Sequence, residues 1–197
     1  MLHNDLVVPV DEDDREHGHE GKLEAHRNGL RHRAVSGFVF SKEGHLLIQR
    51  RAFSKYHSGG LWANSCCSHP KPAEPPIRCM ERRLYEELGL YVAMLPFGTF
   101  SYRADVGHGM IENEFVHGFV GVAEGELTIN PSEVHEVAWV PPSSLVHLAS
   151  SVLAPWFKIY IEQGFLAEAT DRFFLLAEAA AEFQQLVMGR TSHTRHV

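Results

Sequence analysis

The sequence predicts an α/β or α+β layered domain, with strands and interspersed helices followed by further helices at the C-terminal end. Three observations carry that prediction. The stretch RAVSGFVFSKEGHLLIQRR, Arg33 to Arg51, has two apolar runs flanking a Lys-Glu-Gly turn, which is a hairpin signal. PPIRCMERRLYEELGL, Pro75 to Leu90, reads as a helix. Short strand-like runs follow, and the last third of the chain turns helical again.

The helix is the best-marked element. Pro75 and Pro76 suit its first turn and Gly89 its C-terminal cap. Ile77, Met80, Leu84 and Leu88 recur at helical spacing and form one apolar stripe. Downstream, ENEFVHGFVGVA has a period-2 pattern that puts Glu112, Glu114, Val116 and Val120 on one face, and HEVAWVP reads as another strand. PWFKIYIEQGF and TDRFFLLAEAAAEFQQLVMG read as the C-terminal helices. Between hairpin and helix, Ala52 to Pro76 reads as a long loop, a length that usually serves function.

The chain's 197 residues, 44% of them hydrophobic, suit one domain with a real core. The expected boundaries are a flexible acidic segment over 1–20, a single domain over 21–188 that includes the C-terminal helices, and a tail over 189–197. Eighteen basic against 25 acidic residues give a net charge of -7, which argues against a nucleic-acid-binding surface. No apolar run approaches the ~18 residues of a membrane span, and the N-terminus lacks a signal-peptide pattern. Three cysteines without disulfide-like spacing fit a reducing compartment, so a cytoplasmic location is expected.

Four groups of residues bear on chemistry. Glu87 falls at the edge of the helix's apolar stripe, where a carboxylate must be paired or metal-bound; Arg83, one turn earlier, is an i, i+4 partner. Glu112 and Glu114 share a strand face, and two carboxylates placed so repel unless a cation or a shared proton lies between them. His26 and His32 would stand about 20 Å apart in one strand. Asn28-Gly29 between them is a tight-turn signal that can fold the chain back, although a regular hairpin would aim the two rings at opposite faces. In NSCCSHP, Cys66 and Cys67 are not a C-x-x-C redox pair, and no second ligand pair supports a structural zinc site. Cys66 and Cys79 read as small packing residues, whereas Cys67 and His69 are same-side neighbours of an extended loop.

Together the stretches KLEAHRNGLRH, QRRAFSK, GLWANSCCSHP, ERRLYEELGL, FSYRA, IENEF and APWF resemble the type 1 isopentenyl-diphosphate isomerases of the Nudix superfamily, over residues 20 to 160. In the superfamily's box, Ser68 holds the glycine place, Glu74 the glutamate and RRLYEELGL the final segment. Arg83 replaces a glutamate that binds magnesium in the hydrolases, which suits a protein that keeps a diphosphate intact. The resemblance implies a Nudix-type mixed sheet sandwiched between helices. It implies a divalent metal site of His26, His32, His69, Glu112 and Glu114, for Mn²⁺ or Zn²⁺, and a Mg²⁺ on Glu87 shared with the substrate. It assigns diphosphate contacts to Lys22, Arg51, Lys55 and Arg83. Proton transfer falls to Cys67 on one substrate face and to Glu114 with Tyr102 on the other, with Trp156 against a carbocation. The partner implied is a small diphosphate, with no nucleic acid or membrane. Two departures stand out: the two early histidines are one residue closer than is usual, and Ser68 stands where the family tends to have glycine. A Nudix diphosphohydrolase and a non-enzymatic metal-stabilised binding module are the rival readings.

Overall fold

The computed structural model describes residues 5–192 except 124, with side chains described to residue 182. The strands in chain order are β1 (Leu6–Val7), β2 (Glu20–Gly21), β3 (His32–Phe40), β4 (Leu46–Arg51), β5 (Trp62–Ala63), β6 (Cys66–Ser68), β7 (Leu95–Gly107), β8 (Met110–Val122) and β9 (Val134–Val140). The helices are α1 (Lys22–Asn28), α2 (Pro76–Leu88), α3 (Pro155–Glu162) and α4 (Phe165–Ser192). Among the described residues, seven strands form one mixed sheet of order β5-β4-β3-β8-β7, with β6 also on β3 and β9 also on β4. β3 and β8 are parallel; the other pairs are antiparallel.

The expected hairpin is present, but its strands meet only at Phe40 and Leu46 and then part. β3 goes on to pair with β6 and β8, and β4 with β5 and β9. All nine residues of β3 are buried, as expected of a strand covered on both faces. Ala34, Phe38 and Phe40 join Val116, Val120 and the α3–α4 residues Phe157, Tyr160, Phe165 and Phe173 in one core. Val35 and Val39 join Phe119 and the α2 residues Cys79, Met80, Leu84 and Leu88 in the other. The sheet is therefore layered between α2 on one side and α3–α4 on the other.

α2 follows its sequence signals. Pro75 caps it, Pro76 is its first residue, and Gly89 closes it at φ 68°, in the left-handed region where glycine carries no steric cost. β8 is also as expected, with Met110, Glu112, Glu114, Val116 and Gly118 alternately buried.

Three expectations need correction. Residues 22–28 are helical, so Asn28-Gly29 ends α1 instead of turning a hairpin; Gly29 sits at φ 60° and its N–H bonds the His26 carbonyl. The segment from Ala52 to Pro76 is not all loop, because β5 and β6 lie within it. The acidic segment 1–20 is not a solvated arm over its described part. Val7, Val8 and Val10 are buried, β1 pairs with β2, and Asp14 and Glu16 bind the Arg33 guanidinium at 2.7 and 2.5 Å. Residues 189–192, expected in the tail, continue α4; residues 1–4 and 193–197 lie outside the described part.

Candidate active site

Backbone register places the site. His32 of β3 is paired with Glu114 of β8, and Glu114 in turn with Tyr102 of β7. Ser36 of β3 is paired with Cys67 of β6. Side chains two apart on a strand share a face, so His32, Ser36, Glu112, Glu114 and Cys67 all project to the α3 side. Cys66, one residue away, projects into the α2 core and is fully buried there with Cys79. α1 adds His26 from above, its ring 4.9 Å from His32 and 5.4 Å from His69.

The histidines are poised as neutral ligands. His26 Nδ1–H donates to the Lys22 carbonyl at 2.6 Å and His32 Nδ1–H to the Leu30 carbonyl at 2.8 Å. Each bond leaves Nε2 as the bare nitrogen, and both Nε2 atoms are buried without a hydrogen-bond partner. Burial holds His26 at a pKa of about 4 and His32 at about 3, so both lone pairs are free at neutral pH. His69 is pushed well down by burial and by the Lys22 charge, and its Nε2 lies 2.7 Å from Glu114 Oε1.

Opposite the rings, Glu112 and Glu114 are each 5% exposed. Burial pushes both carboxyls up, and the Glu112 charge acts on Glu114 in the same direction. The Tyr102 hydroxyl lies 2.5 Å from Glu112 Oε2 and 2.8 Å from Glu114 Oε2. Two groups of potential ligands result, His26/His32/His69/Glu114 and His26/His57/Glu112, each with its ligand atoms within 4.8 Å of one another. Orphaned imidazole nitrogens aimed at crowded carboxylates fit a divalent cation.

A cavity of about 530 Å³ adjoins this cluster. Cys67, His69, Glu87, Tyr102, Glu112, Glu114 and Trp156 line it, together with the cations Lys22, Arg51, Lys55 and Arg83. Of the thirteen residues the sequence singles out, His26 and His32 stand behind that lining, among the potential ligands. Burial pushes the Cys67 thiol up to about 12, and the Glu114 and Glu112 carboxylates add to the shift. Ser36 Oγ at 3.3 Å and Asn64 Oδ1 at 3.0 Å hold the sulfur in place. Ser68, in the glycine place of the box, keeps an ordinary strand backbone paired with Val35.

The cations differ in what surrounds them. Lys55 pairs with Glu133, and Arg83 with Glu86, Glu87 and Glu133 at 2.7, 2.6 and 3.1 Å. Glu87, 5% exposed, also accepts from Gln49 Nε2 at 2.9 Å. Lys22 and Arg51 close no ion pair among the described residues, and burial plus the charges of Lys55 and Arg51 push the Lys22 amine down. Arg51 stacks over Trp156 at 5.0 Å with its Nε unpartnered. Trp156, 2% exposed, has its indole N–H unpartnered as well. Clustered cations short of counter-charge can attract an anion.

Sequence reasoning missed His57, Gln49, Glu133, Ser36 and Asn64. His57, Gln49, Glu133 and Ser36 reach it across long sequence separations, whereas Asn64 lies three residues from the Cys67 it holds; none carries a spacing signal.

Comparison with known proteins agrees with this geometry. The NUDIX domain model matches residues 30–158. Isopentenyl-diphosphate Delta-isomerase 2 of Aromatoleum aromaticum is 46% identical over 141 residues, 72% of this chain and 75% of that one. Isopentenyl-diphosphate Delta-isomerase 1 of the same organism is 50% identical over 137 residues, 69% of this chain and 77% of its own length. Among solved structures, the Deinococcus radiodurans protein DR0079 superposes with a TM-score of 0.64 at 19% identity, covering 85% of this chain and 98% of that one, a likeness of fold. The chain belongs to the Nudix superfamily and, within it, to the isopentenyl-diphosphate Delta-isomerases.

Proposed function

We propose that the chain interconverts isopentenyl diphosphate and dimethylallyl diphosphate by protonation and deprotonation through a tertiary carbocation. One observation carries the reading: a thiol kept protonated by burial and a carboxyl–phenol pair line the same cavity as the cations Lys22 and Arg51. An alkene is a weak base, so the proton donor must be held against it in a site that excludes water. Cys67 serves one face of the substrate and Glu114 with Tyr102 the other. A proton added at the terminal methylene leaves the charge on the tertiary carbon. Loss of a proton from the carbon on the diphosphate side then completes the 1,3-shift of the double bond. Trp156 lines the same cavity, and its proposed role is a cation–π contact with the carbocation, worth about 2 kcal/mol when desolvated.

Lys22, Arg51, Lys55 and Arg83 bind the diphosphate. His26, His32, His69, Glu112 and Glu114 would hold a transition ion, Mn²⁺ or Zn²⁺, and Glu87 a Mg²⁺ alongside the substrate. When bound, these ions supply positive charge that offsets the crowded carboxylates and the diphosphate. The buried, unpartnered Nε2 atoms of His26 and His32 support that donor set.

The test is to incubate the purified chain and Mg²⁺ with isopentenyl diphosphate and to look for the dimethylallyl isomer. Cys67→Ala and Glu114→Gln should each abolish conversion while substrate still binds. Near-normal turnover in either variant would sink the mechanism. Phosphate release from nucleoside diphosphate derivatives would point to a hydrolase, and tight metal binding without turnover to a binding module.

A further inference from the structure

His57 is not among the ligands that the family resemblance implies, yet it is 4% exposed and faces the cluster. Its Nε2 lies 3.3 Å from Glu112 Oε1, the oxygen that stands 3.9 Å from His26 Nε2. The Ser58 hydroxyl, 3.2 Å from Nδ1, engages the other ring nitrogen, so Nε2 can present its lone pair to the site. The ring stands 5.8 Å from that of His26 and meets Trp156 edge-on at 5.8 Å.

We propose that His57 is a sixth ligand of the divalent ion, completing a sphere of four imidazoles and two carboxylates. The proposal rests on the metal site given under Proposed function. Octahedral bonds of about 2.1 Å put neighbouring ligand atoms roughly 3.0 Å apart and opposite ones roughly 4.2 Å apart. The Nε2–carboxylate separations are 2.7 and 3.7 Å to Glu114 from His69 and His32, and 3.3 and 3.9 Å to Glu112 from His57 and His26, each within the reach of two ligands on one ion. The two ligand groups share His26. With its Nδ1 committed to the Lys22 carbonyl, His26 has one lone pair to give, and one lone pair serves one ion. The six ligand atoms do not all lie within 4.8 Å of one another, so one ion holding both groups draws Glu112 and His57 toward His32, His69 and Glu114 as it binds.

A filled sphere has no open position for substrate or water, so the ion fixes the Glu112 and Glu114 carboxylates and does not itself bind the diphosphate. Four imidazoles also shift preference away from Mg²⁺ toward the later first-row metals.

The probe is Co²⁺, titrated into metal-free protein without substrate. The unmutated chain should take one Co²⁺, show the weak visible absorption of six-coordination and give four exchangeable, hyperfine-shifted imidazole N–H resonances. His57→Ala should show three such resonances and stronger absorption, and bind Co²⁺ about tenfold to a hundredfold more weakly. His32→Ala serves as the reference. If it weakens Co²⁺ binding while His57→Ala changes neither affinity nor spectrum, the metal site stands and the role of His57 is overturned. Three N–H resonances or two Co²⁺ per unmutated chain would overturn it without recourse to any variant. An unmutated chain that binds no Co²⁺ would remove the metal site itself.

Discussion

The Tyr102 hydroxyl lies 2.8 Å from Glu114 Oε2 while standing 2.5 Å from Glu112 Oε2. A phenol has one hydrogen and donates it to one carboxylate at a time. The second contact then requires a proton on a carboxyl or a cation nearby. Tyr102→Phe removes that hydrogen and keeps the ring in its core contacts. Turnover should fall by about 10²-fold or more with the thermal midpoint little changed, since a positioned acid–base group contributes roughly 10²–10⁴-fold. Steady-state kinetics with a melting curve would check it, and a variant within twofold of the parent would remove Tyr102 from the chemistry.

Burial acts first on Cys67, and the nearby Glu114 and Glu112 carboxylates act in the same direction; together they hold the thiol at about 12. The sign is toward the neutral thiol, so the thiolate stays scarce across the neutral range. Alkylation of Cys67 by iodoacetamide should be far slower at pH 8 than that of a free thiol, whose pKa is about 8.5, and should keep rising above pH 10. Peptide mass spectrometry against pH reads this directly. A rate that levels off near pH 7 would mean an activated thiolate and a nucleophile instead of a proton donor.

Much of this arrangement was legible in the residues, and the part that was not has a common cause. α2 announces itself through Pro75, Pro76, Gly89 and its stripe, and β8 through alternation, because caps and periodicity are local signals. Asn28-Gly29 misled, since a left-handed glycine ends a helix as readily as it turns a hairpin. The seven-residue α1 is too short to stand alone, and the burial of Ala25 and His26 decides in its favour. Acidic composition likewise masked the buried Val7, Val8 and Val10. The ligand set came from family resemblance, because no spacing rule links His26, His69 and Glu114. His57 and Glu133 lay beyond both routes: their partners Glu112 and Lys55 are distant in sequence, and only folding brings them together.

The four cavity cations should not contribute equally to substrate binding. Lys55 and Arg83 are already neutralised by Glu133 and by Glu86 and Glu87, so part of what they gain from a phosphate is offset by what they give up. Among the described residues, Lys22 and Arg51 have no such partners to lose. A hydrogen bond to a charged group is worth about 1.5–3 kcal/mol, which is roughly tenfold to a hundredfold in KM. Lys22→Met should raise KM by that order and Lys55→Met by less, with folding intact in both. The ratio of the two KM values is the measurement, and the reverse order would mean that the Glu133 contact is made only in the empty site.

Cys66 and Cys67 are adjacent, yet they should fail in different ways. Cys66 is fully buried in the α2 core beside Cys79, Met80 and Leu84, whereas Cys67 lines the cavity. Cys66→Ala deletes one buried sulfur, and the surrounding core can close only part of the space. It should lower unfolding stability by about 1–2 kcal/mol, on the scale of deleting a methyl-sized group from a packed interior, and leave turnover near that of the parent. Cys67→Ala should show the opposite split, with turnover lost and stability changed by less than about 1 kcal/mol, because its sulfur faces space already open. Urea unfolding and turnover measured on both variants decide it. If Cys66→Ala lost activity while retaining stability, the catalytic thiol would be the other cysteine of the pair, and the alternation of strand faces in β6 would have been read in the wrong register.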